Sequence, residues 1–162
     1  VADQRLWAPW RLEYIKGEKT DECIFCTKPA LGDDGKALIA ERGERCFVML
    51  NAFPYTNGHL MVAPYSHTAD LRALDEQTSL ELITLTQRSV DVLETAYGPD
   101  GYNIGVNLGE IAGAGMADHV HLHIVPRWAG DTNFMPVLGD TRVLPQTLAD
   151  SYRAVRDAFQ AL

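Results

Sequence analysis

His119-Val120-His121-Leu122-His123 sets three of the chain's five histidines at every second position. On a β-strand alternate side chains share a face, so these imidazoles are expected in a row, about 7 Å from one to the next. Val120, Leu122 and Ile124 then face the other way, into a core. Pro126, just beyond, ends the strand. Such spacing has odds of roughly 0.004 over a chain of this histidine content, so chance is a poor explanation. Two readings stay open: a metal-binding or solvated polar strand, or a row of imidazoles around a reacting centre with His121 as nucleophile. Neutral imidazole is nucleophilic near about pH 7, and its cation is a proton donor.

The rest of the chain bounds what such a row can serve. Its 162 residues allow one domain, 1–162, with a real core, and 46% hydrophobic with 22% charged residues is ordinary for a globular protein. A formal charge of −8 argues against bulk nucleic-acid binding. It leaves room for a small phosphate ligand, because backbone N–H groups and imidazoles supply local positive potential. No apolar run approaches the roughly 18 residues of a membrane span, which argues against a membrane partner. Val1–Trp10 carries no signal-peptide pattern. With that, the odd cysteine count (23, 26 and 46) reads as cytoplasmic rather than as a secreted disulfide framework.

Along the chain, residues 1–22 read as an arm or short helix docked by Trp7, Trp10 and Tyr14, and residues 27–36 as a loop. Ala37–Glu41 and Arg45–Leu50 read as a hairpin, Asn51–Gly58 as a loop with an Asn57-Gly58 turn, and His59–Pro64 as a strand. A helix starts at the N-cap Asp75, with Thr78-x-x-Glu81 as a competing capping box, and stops at Gly98-Pro99. Leu80, Ile83, Val90, Leu93 and Tyr97 are its expected apolar face. Tyr102–Leu108 reads as a strand, Gly109–Met116 as a glycine-rich loop, residues 129–145 as irregular and Gln146–Leu162 as a terminal helix. Hairpin-joined strands with helices gathered apart predict an α+β fold around an antiparallel sheet. Cys46 reads as a core residue, His59 as core or functional, His67 as surface, and Trp128 as core packing rather than a pocket wall. Arg127 reads equally as a phosphate partner or a structural pair.

His119-x-His121-x-His123 followed by Ile124-Val125-Pro126-Arg127 resembles the signature of the histidine triad (HIT) superfamily of nucleotidyl hydrolases and transferases. Gly58-His59-Leu60-Met61-Val62-Ala63-Pro64 and Asn103–Gly109 are similar to that family's flanking strands. Leu6–Arg11 and Pro126–Phe134 resemble a bacterial branch that includes diadenosine tetraphosphate phosphorylases. The resemblance implies a HIT-like fold: about five antiparallel strands with one long helix and a C-terminal helix.

It also implies cleavage of a nucleotide phosphoanhydride through a covalent nucleotidyl-histidine at the α-phosphorus. A phosphorylase or hydrolase of dinucleoside polyphosphates is the specific expectation, and the partner is an adenine nucleotide or dinucleoside polyphosphate. By that likeness His121 is the nucleophile, and its second nitrogen should donate to a fixed acceptor. His123 donates to the phosphate and leaving-group oxygen, and His59 supports the site. Asn51 is expected on ribose hydroxyls and Asn107 as an amide donor, with Gly113, Ala114 and Gly115 cradling phosphoryl oxygens through backbone N–H groups. Many relatives place Gln then Ser or Thr shortly before the triad. Here the loop reads Ala114-Gly115, so recognition there falls to backbone or water. A homodimer is implied, and no organic cofactor. A phosphoramidate hydrolase is the alternative enzyme, and a non-catalytic nucleotide-binding regulatory protein the alternative of another class.

Cys23-x-x-Cys26 has the spacing of half a zinc site, which a redox pair shares, though a βαβ context for the latter is lacking. The resemblance implies His67 and His119 as the other two ligands of a structural zinc. The competing reading is two free thiols and a His119 that hydrogen-bonds within the site.

Overall fold

The computed structural model describes residues 22–131 and 146–162. The expected arm at 1–22 lies outside the described residues except for Glu22. Most of the irregular segment 129–145 lies outside them too.

The strands are β1 (Ile39–Arg42), β2 (Cys46–Leu50), β3 (Leu60–Pro64), β4 (Gly101–Val106) and β5 (Leu122–Arg127). They form one sheet in the order β1-β2-β3-β5-β4, with every neighbouring pair antiparallel. The helices are α1 (Ile24–Ala30), α2 (Asp34–Ala37), α3 (Glu76–Tyr97) and α4 (Leu148–Gln160). The expected α+β architecture is therefore present, with about one residue's difference at most strand ends.

Period-two alternation divides the sheet's side chains between two apolar layers. Val48, Leu50, Leu60, Val62, Leu122 and Ile124 pack with α3 and α4 residues such as Leu85, Leu93 and Phe159. Phe47, Met49, Met61 and Ala63 pack with Phe25 of α1. Covered on both faces, β2 and β3 are buried at all five positions each.

Asp75 caps α3 by accepting the Thr78 N–H at 2.7 Å, and Gly98 ends it in the left-handed region at φ 52°. Glu81 does not close a capping box. It reaches instead to the β1–β2 turn and accepts the backbone N–H groups of Glu44, Arg45 and Cys46 at 2.8, 2.6 and 3.1 Å. The expected apolar face of α3 is out of phase. Leu80 and Ile83 are exposed, and the buried stripe is Thr78, Leu82, Leu85, Thr86, Ser89, Val92 and Leu93. Residues 27–36, expected as a loop, are mostly helical. The Cys23 carbonyl accepts the N–H groups of Cys26 and Thr27, and Phe25 anchors the turn in the core.

Two turns position the site. Gly58 holds φ 78°, and a Cβ there would meet Leu93 and Tyr97 at 2.9 Å, so the chain entering His59 needs glycine. The strand expected from His119 begins only at Leu122, because the Val120 N–H bonds to the Thr68 carbonyl at 2.7 Å instead of a strand neighbour.

Candidate active site and metal centre

Residues 119–123 still alternate. Val120, Leu122 and Ile124 are buried in the core, while His123 stands opposite Met61 of β3 and Gly105 of β4. The rings are closer than strand repeat predicts: those of His121 and His123 lean together, centroids 4.8 Å apart at 71°.

The partners of each ring fix its tautomer, since a carbonyl only accepts and a backbone N–H only donates. Nδ1 of His121 lies 2.8 Å from the His119 carbonyl oxygen, so Nδ1 carries the proton and Nε2 the lone pair. His121 is buried, and burial holds its pKa below the ordinary value against the opposing pull of that carbonyl. The neutral, nucleophilic ring is the favoured form.

His59, fully buried at the entry to β3, receives the Tyr55 N–H on Nδ1 at 3.2 Å. Its proton is therefore on Nε2, which donates to His123 Nδ1 at 3.0 Å. His123 must then carry its own proton on Nε2. A lone pair on His121 and an N–H on His123 stand on neighbouring rings, so one ring can act as a nucleophile and the other as a proton donor.

The other expected contacts are mixed. Asn51 turns inward: its Oδ1 accepts the Phe53 N–H at 2.9 Å, and its Nδ2 lies 3.4 Å from His59 Nδ1. Asn107 directly follows the Val106–Leu122 pair that ends β4. In the glycine-rich loop, the Gly113 and Ala114 N–H groups bond within the turn, to the Glu110 and Gly109 carbonyls at 2.9 and 3.3 Å. Gly115, the third residue of the expected cradle, is exposed. Arg127 takes the structural role, bonding Asp131 and Asn103.

The remaining expected residues converge on a second centre. Cys23, Cys26, His67 and His119 bring one donor atom each to within 4.8 Å of one another and could hold a metal ion. His119 Nδ1 lies 3.3 and 3.7 Å from the Cys23 and Cys26 sulfurs, and His67 Nδ1 3.4 Å from Cys26. The His119 Nε2–H donates to the Pro64 carbonyl at 2.8 Å, which leaves the Nδ1 lone pair toward the sulfurs. Such an outer hydrogen bond is how proteins orient a ligating imidazole.

Four contributors had no clear signal in the sequence. The Tyr55 N–H and the carbonyls of Pro64 and His119 are backbone groups, which any residue carries. Phe25 packs its ring 4.5 Å from His121 and 5.2 Å from His119, and only its place between the two cysteines hinted at the site.

The family model described as HIT domain matches residues 36–130. An AP-4-A phosphorylase of Mycobacterium tuberculosis is 39% identical over 159 residues, covering 93% of this chain and 81% of that protein. An adenosine 5'-monophosphoramidase of Schizosaccharomyces pombe is 33% identical over 105 residues, 65% of this chain and 74% of that one. The crystal structure of a Zn-bound histidine triad family protein from Mycobacterium smegmatis superposes with a TM-score of 0.69 at 27% identity, covering 86% of this chain and 94% of that one. This chain belongs to the HIT domain family.

Proposed function

We propose that the chain is a HIT-family nucleotide hydrolase or nucleotidyltransferase that cleaves the phosphoanhydride of a dinucleoside polyphosphate. The observation that carries this is the tautomer pattern: His121 keeps a lone pair on Nε2, and His123, whose ring centroid lies 4.8 Å away, carries its proton on Nε2. His121 Nε2 attacks the α-phosphorus, the P–O bond to the polyphosphate breaks, and His123 gives its proton to the departing oxygen. Water or inorganic phosphate then attacks the nucleotidyl-His121 and frees the ring. His59 keeps the His123 proton on the required nitrogen. Asn51, Asn107 and the 113–115 loop are assigned to substrate, with the loop's backbone serving as donor once the turn has opened toward the phosphates.

Incubation with diadenosine tetraphosphate, with and without phosphate, tests the reading. ADP plus ATP formed only with phosphate makes the chain a phosphorylase. AMP plus ATP, or two ADP, formed in water makes it a hydrolase. The similarity to a monophosphoramidase supports a second reading, with the same histidine acting on a P–N bond.

We infer that the metal is zinc. A tetrahedral ion at about 2.3 Å from sulfur and about 2.1 Å from nitrogen sets sulfur-to-nitrogen edges of about 3.6 Å. Three of the four sulfur-to-nitrogen separations, at 3.3, 3.4 and 3.7 Å, bracket that value, within a donor set that spans up to 4.8 Å. With four protein ligands the ion is structural. A homodimer fits the exposed Leu80 and Ile83 on α3 and the position of β4 at the sheet's edge among the described residues. A cytoplasmic location fits the three free thiols; no helix among the described residues is long and apolar enough to cross a membrane. The acidic charge fits a nucleotide rather than a nucleic-acid partner. We assign residues 1–162 to one unit, with the cysteine-bearing N-terminal segment and α4 as its additions to the HIT core.

A further inference from the structure

His119 belongs to two networks. Its ring Nδ1 faces the two cysteine sulfurs, while its carbonyl oxygen holds the Nδ1 proton of His121. A second link runs through α1. Cys23 precedes its first residue, Cys26 lies in its first turn, and between them Phe25 is 1% exposed. The Phe25 ring packs against the His121 ring at 4.5 Å, tilted by 31°. Seven residues long and interrupted by Pro29, α1 is too short to be stable alone. What holds it is the anchoring of Phe25 and the thiol–imidazole cluster that brackets it. A staple whose only task was to tie down the N-terminal segment would need neither a ligand two residues from His121 nor an aromatic ring laid on that histidine.

We propose that the Cys23–Cys26–His67–His119 centre positions His121, and that Phe25 is the positioning residue through which it does so. With the centre filled, the His119 main chain and the Phe25 ring restrain His121 from two sides, and the ring holds one tautomer with Nε2 unprotonated. With the centre empty, α1 loosens, both restraints weaken, and the ring samples both tautomers. The catalytic consequence rests on His121 being the nucleophile; the coupling between the two centres does not.

Long-range proton–nitrogen NMR of the histidine rings in the full chain tests the coupling without reference to turnover. Spectra are compared for zinc-loaded protein, chelator-stripped protein and zinc-loaded Phe25→Leu, with circular dichroism reporting the fold. The expected result is a single Nδ1–H tautomer for His121 in the loaded protein. In stripped but folded protein, and in Phe25→Leu, the two ring-nitrogen signals move toward each other. Phe25→Leu also lowers kcat by about tenfold or more with KM changed less than about twofold, as expected for a misplaced reacting group. If stripping unfolds the chain, Phe25→Leu, which keeps an apolar side chain in the core, decides alone. An unchanged His121 tautomer in the folded comparison samples overturns the proposal. A tautomer that shifts in a chain that turns over no nucleotide leaves the coupling standing and removes the nucleophile assignment. Turnover with an unmoved tautomer removes the coupling alone.

Discussion

The carbonyl oxygen of His119 accepts the Nδ1–H of His121 at 2.8 Å. One residue thus fixes the proton of the imidazole two positions on, while its own ring faces Cys23 and Cys26. The peptide geometry that makes alternate side chains share a face also brings a main-chain acceptor to the proposed nucleophile.

The His59–His123 hydrogen bond makes a specific kinetic prediction. His59→Ala removes the donor that holds the His123 proton on Nε2. Loss of properly oriented general-acid assistance is expected to lower kcat by about 10²-fold, with nucleotide affinity little changed. Steady-state kinetics checks this; a variant with wild-type kcat contradicts the proton relay.

The metal centre predicts one zinc per chain in protein purified without chelator. Cys23→Ser should lose the ion and melt at a lower temperature, because ligand binding free energy is folding free energy in such sites. Elemental analysis and thermal denaturation read both effects. Protein that carries no zinc when purified without chelator, with Cys23→Ser melting at the parent's temperature, would remove the assignment.

Cys46 predicts an alkaline limit to stability. Burial first, and the nearby Glu81 carboxylate second, push its thiol from 9.0 up to about 12. Between those values the folded protein keeps a proton that the unfolded chain has released, so this contribution is present below about pH 9 and is lost as pH rises toward 12. Urea unfolding at about pH 8 and about pH 10.5 should show a larger loss for wild type than for Cys46→Ala. Equal losses would place the alkaline sensitivity elsewhere.

Leu80 and Ile83, 67% and 50% exposed, lie one turn apart on α3, and Ile104 is 47% exposed on β4, the last strand of the sheet among the described residues. Apolar groups so placed predict a self-association surface. Leu80→Glu with Ile83→Glu should sediment as a monomer while the parent chain sediments as a dimer. A monomeric parent contradicts the dimer.

The sequence and the structure agree where a side chain carries its own signal. The triad, the cysteine pair, the Asp75 cap and the Gly98 stop are all legible, and the five strands follow from short apolar runs set off by turn residues and from the alternating histidines. The phase of α3 was hidden because its buried stripe contains hydroxyls. Thr86 and Ser89 satisfy themselves on the Leu82 and Leu85 carbonyls at 2.7 Å, and so enter the core without looking apolar. Helix α1 was hidden because Pro29 and the Gly and Asp residues after it read as loop, while the core burial of Phe25 decided the outcome. The tautomer chain was hidden because Tyr55, Pro64 and His119 contribute backbone atoms.

The most direct test of the central claim is rapid quenching of the reaction with diadenosine tetraphosphate, followed by mass spectrometry of the peptide that contains His121. The account predicts a transient AMP adduct on that ring, absent from His121→Ala, whose turnover falls by about 10⁴-fold or more while AMP binding persists. Wild-type protein that consumes the nucleotide normally without ever yielding the adduct, or a His121→Ala chain that turns over at near-normal rate, contradicts it.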